Sequence, residues 1–263
     1  MFNRIYAMIL RYKTVVSGSL PRLLSIFYWP SIQIILWGFF SNFLVSINSD
    51  SSLNPISFIL SAIILWDVLF RGQLGLSMTF FEEIWSRNLG HLLITPLRNY
   101  EFIISLILIS FIRTLLGLTP AIFIANYYFD FHLFELGVYL ILFFFNLIFT
   151  GWSIGFFVSG LVLRFGQSFE ELAWAFIFIL LPFSCVYYPL DSLPYIFQKL
   201  ALLFPPVYVF EGMRNIFVDS FFSKTLFFKA LIINILYFCF SIFFFLKMIS
   251  LSKKKGNLFN FGE

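Results

Sequence analysis

Charge is scarce in this chain. Only 11% of its 263 residues are Asp, Glu, Lys or Arg, against about 25% in an ordinary soluble domain. So few charges cannot cover a water-facing surface of this size, which excludes a soluble globular protein. Cysteine is equally sparse. Cys185 and Cys239 stand in apolar stretches without partner spacing, so they read as small buried hydrophobes, with no disulfide framework and no metal site. No GxxxxGK[ST] loop occurs, so ATP chemistry, if required, belongs to another subunit. The net charge of +4 matters through its distribution and does not point to nucleic acid. No cleavable leader is expected either: the first apolar run starts near Leu23 and is too long for an h-region, and no small-x-small site follows it.

What remains is hydrophobic. The chain is 60% apolar and 22% aromatic, with a mean hydropathy of +0.94. These values predict a single all-α integral membrane domain over 1–263. A helix needs about 20 apolar residues to cross the hydrocarbon core. Six stretches qualify: 24–46, 56–80, 101–125, 134–162, 171–188 and 226–248. The punctuation between them fits. Asn48 to Pro55 is a polar turn, Thr95 before Pro96 reads as an N-cap opening the third span, and Ser168 with Glu171 reads as a capping box for the fifth.

Lys and Arg set the orientation. Arg4, Arg11, Lys13 and Arg22 lie at the start, and Lys247, Lys253, Lys254 and Lys255 at the finish. Two cytoplasmic ends demand an even number of spans, in agreement with six. Arg87, Arg98 and Arg164 then join the cytoplasmic side, giving eleven basic residues there against four outside (Lys199, Arg214, Lys224 and Lys229). The loops holding Asp50 and Asp130, His132 and Glu135 contain no Lys or Arg and face outward. Ahead of the first span, Ile5, Met8, Ile9, Tyr12, Val15, Val16 and Leu20 recur at helical spacing. That predicts an interfacial amphipathic helix within 1–22, stopped near Pro21; a plain basic anchor is the simpler alternative.

Two interruptions stand out. The first is FEEIWSRNLGHLLITPLRNYE, residues 81–101, which has the form of a short amphipathic helix over 82–95 followed by a sharp turn. Glu82 and Glu83 suit its first turn, and Glu83 to Arg87 is a favourable i,i+4 pair. Ile84, Trp85, Leu89, Leu92 and Leu93 supply more apolar surface than a solvated connector needs. The second is 189–222, where Pro189, Pro194, Pro205 and Pro206 cluster. Its pieces 193–204 and 206–219 are too short or too charged to cross, so they are expected as two short helices folded into the outer leaflet, lining a pathway or forming a surface cap. Within the spans, Asp67 and Arg71 are one helical turn apart and Arg113 lies deep in the third span. They either meet a substrate or compensate one another. Gly151-Trp152-Ser153-Ile154-Gly155 matches GxSxG, but neither His91 nor His132 should reach Ser153; its GxxxG spacing reads as helix packing.

EEIWSRNLGHLLITPLRNYE after the second span resembles the coupling-helix region of ATP-binding-cassette type-2 permeases. PLDSLPYIFQKLALLFPPVYVFEGMRNIF before the last span resembles the same family's outer re-entrant segment. The resemblance implies a transmembrane half that forms a homodimer among membrane lipids of a bacterial inner membrane and docks on two copies of a cytoplasmic ATPase. ATP and Mg would be bound by those partners, with no cofactor on this chain. By analogy Glu82, Glu83, Arg87, His91, Leu92, Thr95 and Pro96 would transmit the ATPase stroke. Pro189, Pro194, Pro205, Glu211 and Arg214 would hold the outer hairpin, and Asp67, Arg71 and Arg113 would support or line the pathway. The family exports drugs, polysaccharides, teichoic acids and lipid-linked compounds, and the lack of a large outer domain here disfavours its bulky-ectodomain branches. Two rival readings predict other features. An ion-coupled carrier calls for a second deep carboxylate and inverted repeats, and a lipid-modifying membrane enzyme for clustered His, Asp or Glu near one interface. Neither pattern is present in the sequence.

Overall fold

A computed structural model describes residues 1–47, 55–131 and 137–255. The polar turn ahead of Pro55, and His132 and Glu135 of the outer loop, lie outside the described residues. No strand occurs among those described. The helices are α1 (Phe2–Ser17), α2 (Leu20–Ile47), α3 (Pro55–Trp85), α4 (Leu89–Ile94), α5 (Asn99–Phe129), α6 (Val138–Phe165), α7 (Leu172–Phe183), α8 (Tyr195–Ala201), α9 (Pro205–Asp219) and α10 (Lys224–Lys255). Five of them, α2, α3, α5, α6 and α10, are long and apolar enough to cross a membrane.

Close contacts fix the direction of each long helix. Phe80 meets Phe102, and the Ser110 hydroxyl donates to the Gly72 carbonyl (2.8 Å), so α5 runs antiparallel to α3. Along α6, Ile148 packs on Gly72 and Gly155 on Leu76, so α6 runs parallel to α3. Asn234 Nδ2 donates to Asn146 Oδ1 (3.1 Å), and farther along Ser252 donates to the Leu163 carbonyl (3.0 Å); α10 is therefore parallel to α6. Because α6 and α10 point the same way, the chain must return between Phe165 and Lys224. α7 begins that return. Glu170, just before it, accepts from the Trp85 indole at the end of α3 (2.8 Å), while Tyr187 beyond it stacks on Trp37 of α2 (4.8 Å). The start of α2, the ends of α3, α6 and α10, and the basic residues they carry thus share one end of the bundle.

The tightest seam is α3 on α6. A Cβ at Gly151 would stand 2.6 Å from the Leu69 carbonyl oxygen, and one at Gly155 3.2 Å from that of Gln73. Small residues here let two backbones approach as larger ones would not. Ser153 bonds the Phe149 carbonyl of its own helix (2.8 Å), so the GxSxG match is packing, as expected.

Several expected boundaries are corrected. The stretch 82–95 is not one helix: α3 continues to Trp85, and a separate helix spans Leu89–Ile94. Glu82 and Glu83 therefore occupy a last turn, where the helix dipole disfavours negative charge. α3 stops by a backbone device. Arg87 takes the left-handed conformation (φ 52°), its N–H bonds the Ile84 carbonyl (2.9 Å), and the Asn88 N–H reaches the Glu83 carbonyl (3.0 Å). This is the Schellman pattern, with arginine where glycine is usual. Thr95 does not open the third span. It follows α4, its hydroxyl bonds the Leu92 carbonyl (2.6 Å), and α5 starts at Asn99 with the Arg98 N–H capped by Glu101 (2.9 Å). Ser168 and Glu171 form no capping box: Gln167–Phe169 is a 3₁₀ turn, and no side chain caps α7. The expected fifth span, 171–188, holds only twelve helical residues, about 18 Å against the ~30 Å of a hydrocarbon core. α1 ends at Ser17, and Pro21 lies in the first turn of α2.

Candidate functional site

Three groups of the expected residues can be placed. The first lies at the end of the bundle where α3 gives way to α4. There α1 grips the loop on both sides. Arg11 pairs with Glu83 (2.9 Å), and Arg4 pairs with Glu101 (3.2 Å) while donating to the Pro96 carbonyl (2.7 Å). Ile5, Met8 and Tyr12 of α1 are buried, which accounts for their helical spacing. Glu83 is fully buried and also accepts from Asn88 Nδ2 (2.9 Å); the expected Glu83–Arg87 pair does not form. The guanidinium of α1 arrives from 72 positions away and compensates a carboxylate that its own helix end disfavours. Near this end, burial beside the Glu83 carboxylate pushes the Tyr12 phenol well up. Burial likewise raises Glu170, opposed by its bond from Trp85.

The apolar residues of this region divide in an unexpected way. Ile84, Leu89 and Leu92 are buried in the protein's own core, so Leu92 presents no docking surface and Glu83 none either. What faces outward is Trp85, Arg87, His91, Ile94, Thr95 and Pro96, with Ile94 75% exposed. Of the apolar surface expected from the sequence only Trp85 is exposed, and Ile94 is the exposed residue that sequence reasoning did not single out for a partner. Its signal was available, since Ile94 falls at the end of α4, on the side away from Leu89 and Leu92.

Two of the second group, Arg71 and Arg113, border a cleft of about 500 Å³ between α2, α3, α5 and α7, and Asp67 stands behind Arg71. Arg71 Nε donates to Asp67 Oδ2 (2.5 Å) and Nη1 to the Ile26 carbonyl (2.9 Å). The i,i+4 pair is therefore present, and it ties α3 to α2. Arg113 also borders the cleft, but it donates to the Thr79 hydroxyl (3.0 Å) and not to Asp67. The structure thus joins Asp67 to Arg71 and gives Arg113 a separate partner on the same cleft wall as Arg71. Trp29, Trp66, Phe70, Trp174, Phe178 and Tyr187 supply the aromatic part of the remaining wall.

The third group is the 189–222 segment. Pro194 precedes α8 and Pro205 opens α9, as proline at a first turn should; Pro189 precedes a 3₁₀ turn, Leu190–Ser192. Arg214 Nη1 pairs with Glu211 Oε1 (2.8 Å), which also accepts from the Leu190 N–H (2.8 Å). Arg214 Nη2 reaches the Cys185 carbonyl (3.3 Å), and the guanidinium lies over Phe58. The pair therefore staples the turn after α7 to α9 and to the start of α3. Between α8 and α9, the Leu203 carbonyl accepts from Tyr237 (3.0 Å). Tyr237 is thirteen residues beyond the start of α10, about 20 Å along its axis.

No group of three or more His, Cys, Asp or Glu suited to a metal ion occurs among the described residues. The family model of ABC-2 type transporters matches residues 20–218, from the start of α2 through α9. No curated protein matches the chain.

Proposed function

We propose that this chain, which belongs to the ABC-2 type transporter family, is the permease subunit of an exporter. It would move an amphipathic compound, such as a drug, lipid or lipid-linked glycan, outward across a bacterial inner membrane. The ATP would be hydrolysed by two copies of a separate cytoplasmic ATPase, and two copies of this chain would form the transmembrane unit. Basic residues gather at the end of the bundle holding α1 and α4, which under the positive-inside rule makes that end cytoplasmic. α1 and the end of α10 then lie inside, and α7 with the turn after it makes a short sixth passage. The α8–α9 hairpin, turning back about 20 Å along α10, is the outer re-entrant element.

One observation carries the reading. α3 is a single helix of 31 residues that lines the cleft with Trp66, Phe70 and Arg71 and ends at the loop exposing Arg87, His91 and Ile94. A push received at α4 is delivered along a rigid rod to the wall of the cleft. α1, paired to both sides of the loop through Arg11 and Arg4, moves with it. The ATPase would therefore grip Arg87, His91, Ile94, Thr95 and Pro96, with Glu82 and Glu83 held behind them.

Arg87→Gly is a clean test, because glycine accepts the left-handed conformation that arginine holds there. Combined with Ile94→Asp it should leave the permease folded while abolishing ATPase co-purification and export. A double variant that retains both would overturn the proposal.

A further inference from the structure

We infer that the cleft between α2, α3, α5 and α7 binds the anionic head of an amphiphile, with Arg113 selecting the negative charge and the tryptophans holding the apolar body. The inference deepens the export reading by naming the chemical class of cargo.

The charges around the cleft are unequal in their commitments. Arg71 has its charge answered: Nε serves Asp67, and Nη1 serves the Ile26 carbonyl. Arg113 has five N–H donors in a planar fork, of which Nη1 bonds the neutral Thr79 hydroxyl. No carboxylate lies within ion-pair distance of it among the described residues. The acidic group that acts on it most, Glu82, does so across a longer gap and is not part of the cleft wall. Two guanidinium groups border the cleft, and no carboxylate does.

A guanidinium with no carboxylate in contact is costly in a membrane, and such groups pair or face a polar cavity. A phosphate or carboxylate placed in the cleft would meet the unused N–H groups with charge-assisted bonds. A cationic head would be repelled by both guanidinium groups, against whatever it gained from the aromatic rings, and a neutral head would leave the fork unanswered. The remaining wall sets the other half of the ligand. Trp29, Phe178 and Tyr187 are exposed at the mouth between α2 and α7, and Trp66 and Trp174 line the interior. Free inorganic phosphate would gain nothing from this surface. An apolar chain leaving the head would lie along it and emerge on the lipid-facing side. The volume, about 500 Å³, suits a head group with the first part of its chain and falls in the ordinary range for ligand pockets.

Intrinsic tryptophan fluorescence provides the measurement, with the full-length chain in nanodiscs of neutral phosphatidylcholine. The titrants are dodecyl phosphate, dodecyl maltoside, dodecyltrimethylammonium and inorganic phosphate. Dodecyl phosphate is expected to saturate and to bind at least about tenfold more tightly than the maltoside, with the ammonium compound weakest. Inorganic phosphate should not displace it. Arg113→Gln should weaken dodecyl phosphate by about tenfold or more and leave the maltoside unchanged, while Arg113→Lys stays within about threefold of the parent. Equal binding of the three amphiphiles, displacement by inorganic phosphate, or an Arg113→Gln variant with unchanged selectivity would overturn the inference. Should Arg113→Gln not fold, the ranking on the unaltered chain decides alone. No ATPase takes part, so failure here leaves the export reading intact. Anion binding by a chain that docks no ATPase would instead remove that reading alone.

Discussion

α2 and α3 have the same mean hydropathy, 1.5, yet 22% of the apolar stretch of α2 is buried in the protein and 78% of that of α3. Hydrophobicity does not decide which helix lies inside, because lipid is as apolar as a neighbouring leucine. What differs is the residues that interrupt the apolar run. α3 carries Gly72 and Gly75, where other helices approach closely, with Gln73, Ser77 and Thr79 buried beside them. Along α2, Trp29, Leu36, Phe39 and Phe43 face outward. Close approach and polar contacts recruit α3 to the centre, and there it links α4 to the cleft.

That contrast can be broken by substitution. The largest effect is expected for Arg71→Ala, which leaves Asp67 buried without its partner and should cost about 3–5 kcal/mol. Thermal unfolding in detergent would measure it, and adding Asp67→Leu should restore much of the loss. Next comes Gly151→Ala on the face of α6 against α3. The added methyl meets the Leu69 carbonyl, and overpacking of this kind costs about 1–3 kcal/mol. Arg11→Ala should follow, at about 1–3 kcal/mol for the buried Glu83 left without its cation. It should also loosen α1 from the loop, visible as faster proteolysis after Arg4 or Lys13. Leu36→Ala on the outward side of α2 should change the unfolding midpoint least, by under about 0.5 kcal/mol. If it splits a dimer without altering that midpoint, the outer face of α2 is a subunit interface and the contrast becomes sharper. Equal losses at Gly151 and Leu36 would dissolve it.

Much of the fold was legible in the sequence where contacts are local or compositional. Five of the expected spans are long helices, and the Asp67–Arg71 and Glu211–Arg214 pairs, one turn apart on their helices, both form. Gly151 and Gly155 announced a close helix contact through their spacing. What escaped was set by distant residues. Glu82 and Glu83 look like the acidic first turn of a new helix, and only cations brought from other helices, Arg11 to Glu83 and Arg113 and Arg22 toward Glu82, make them tolerable as the last turn of an old one. Arg87 gave no sign of a helix stop because the left-handed position it fills is usually glycine. Leu92 looked like part of a docking face because hydrophobicity does not say whether a residue meets a partner or its own core. The shortness of α7 was hidden by the continuous apolar run through Leu181. Pro182 and the turn at Cys185, held by Arg214 from α9, end it.

The most direct test of the proposed role is photo-crosslinking from a benzophenone amino acid placed at His91 in the full-length chain in its native membrane. The opposite end of the bundle provides a control, with the same probe at Tyr127. Capture from His91, and not from Tyr127, of a protein identified by mass spectrometry as a nucleotide-hydrolysing ATPase of the ATP-binding-cassette class is the expected result. Capture of lipid alone from His91, or equal capture of the ATPase from both positions, would contradict it.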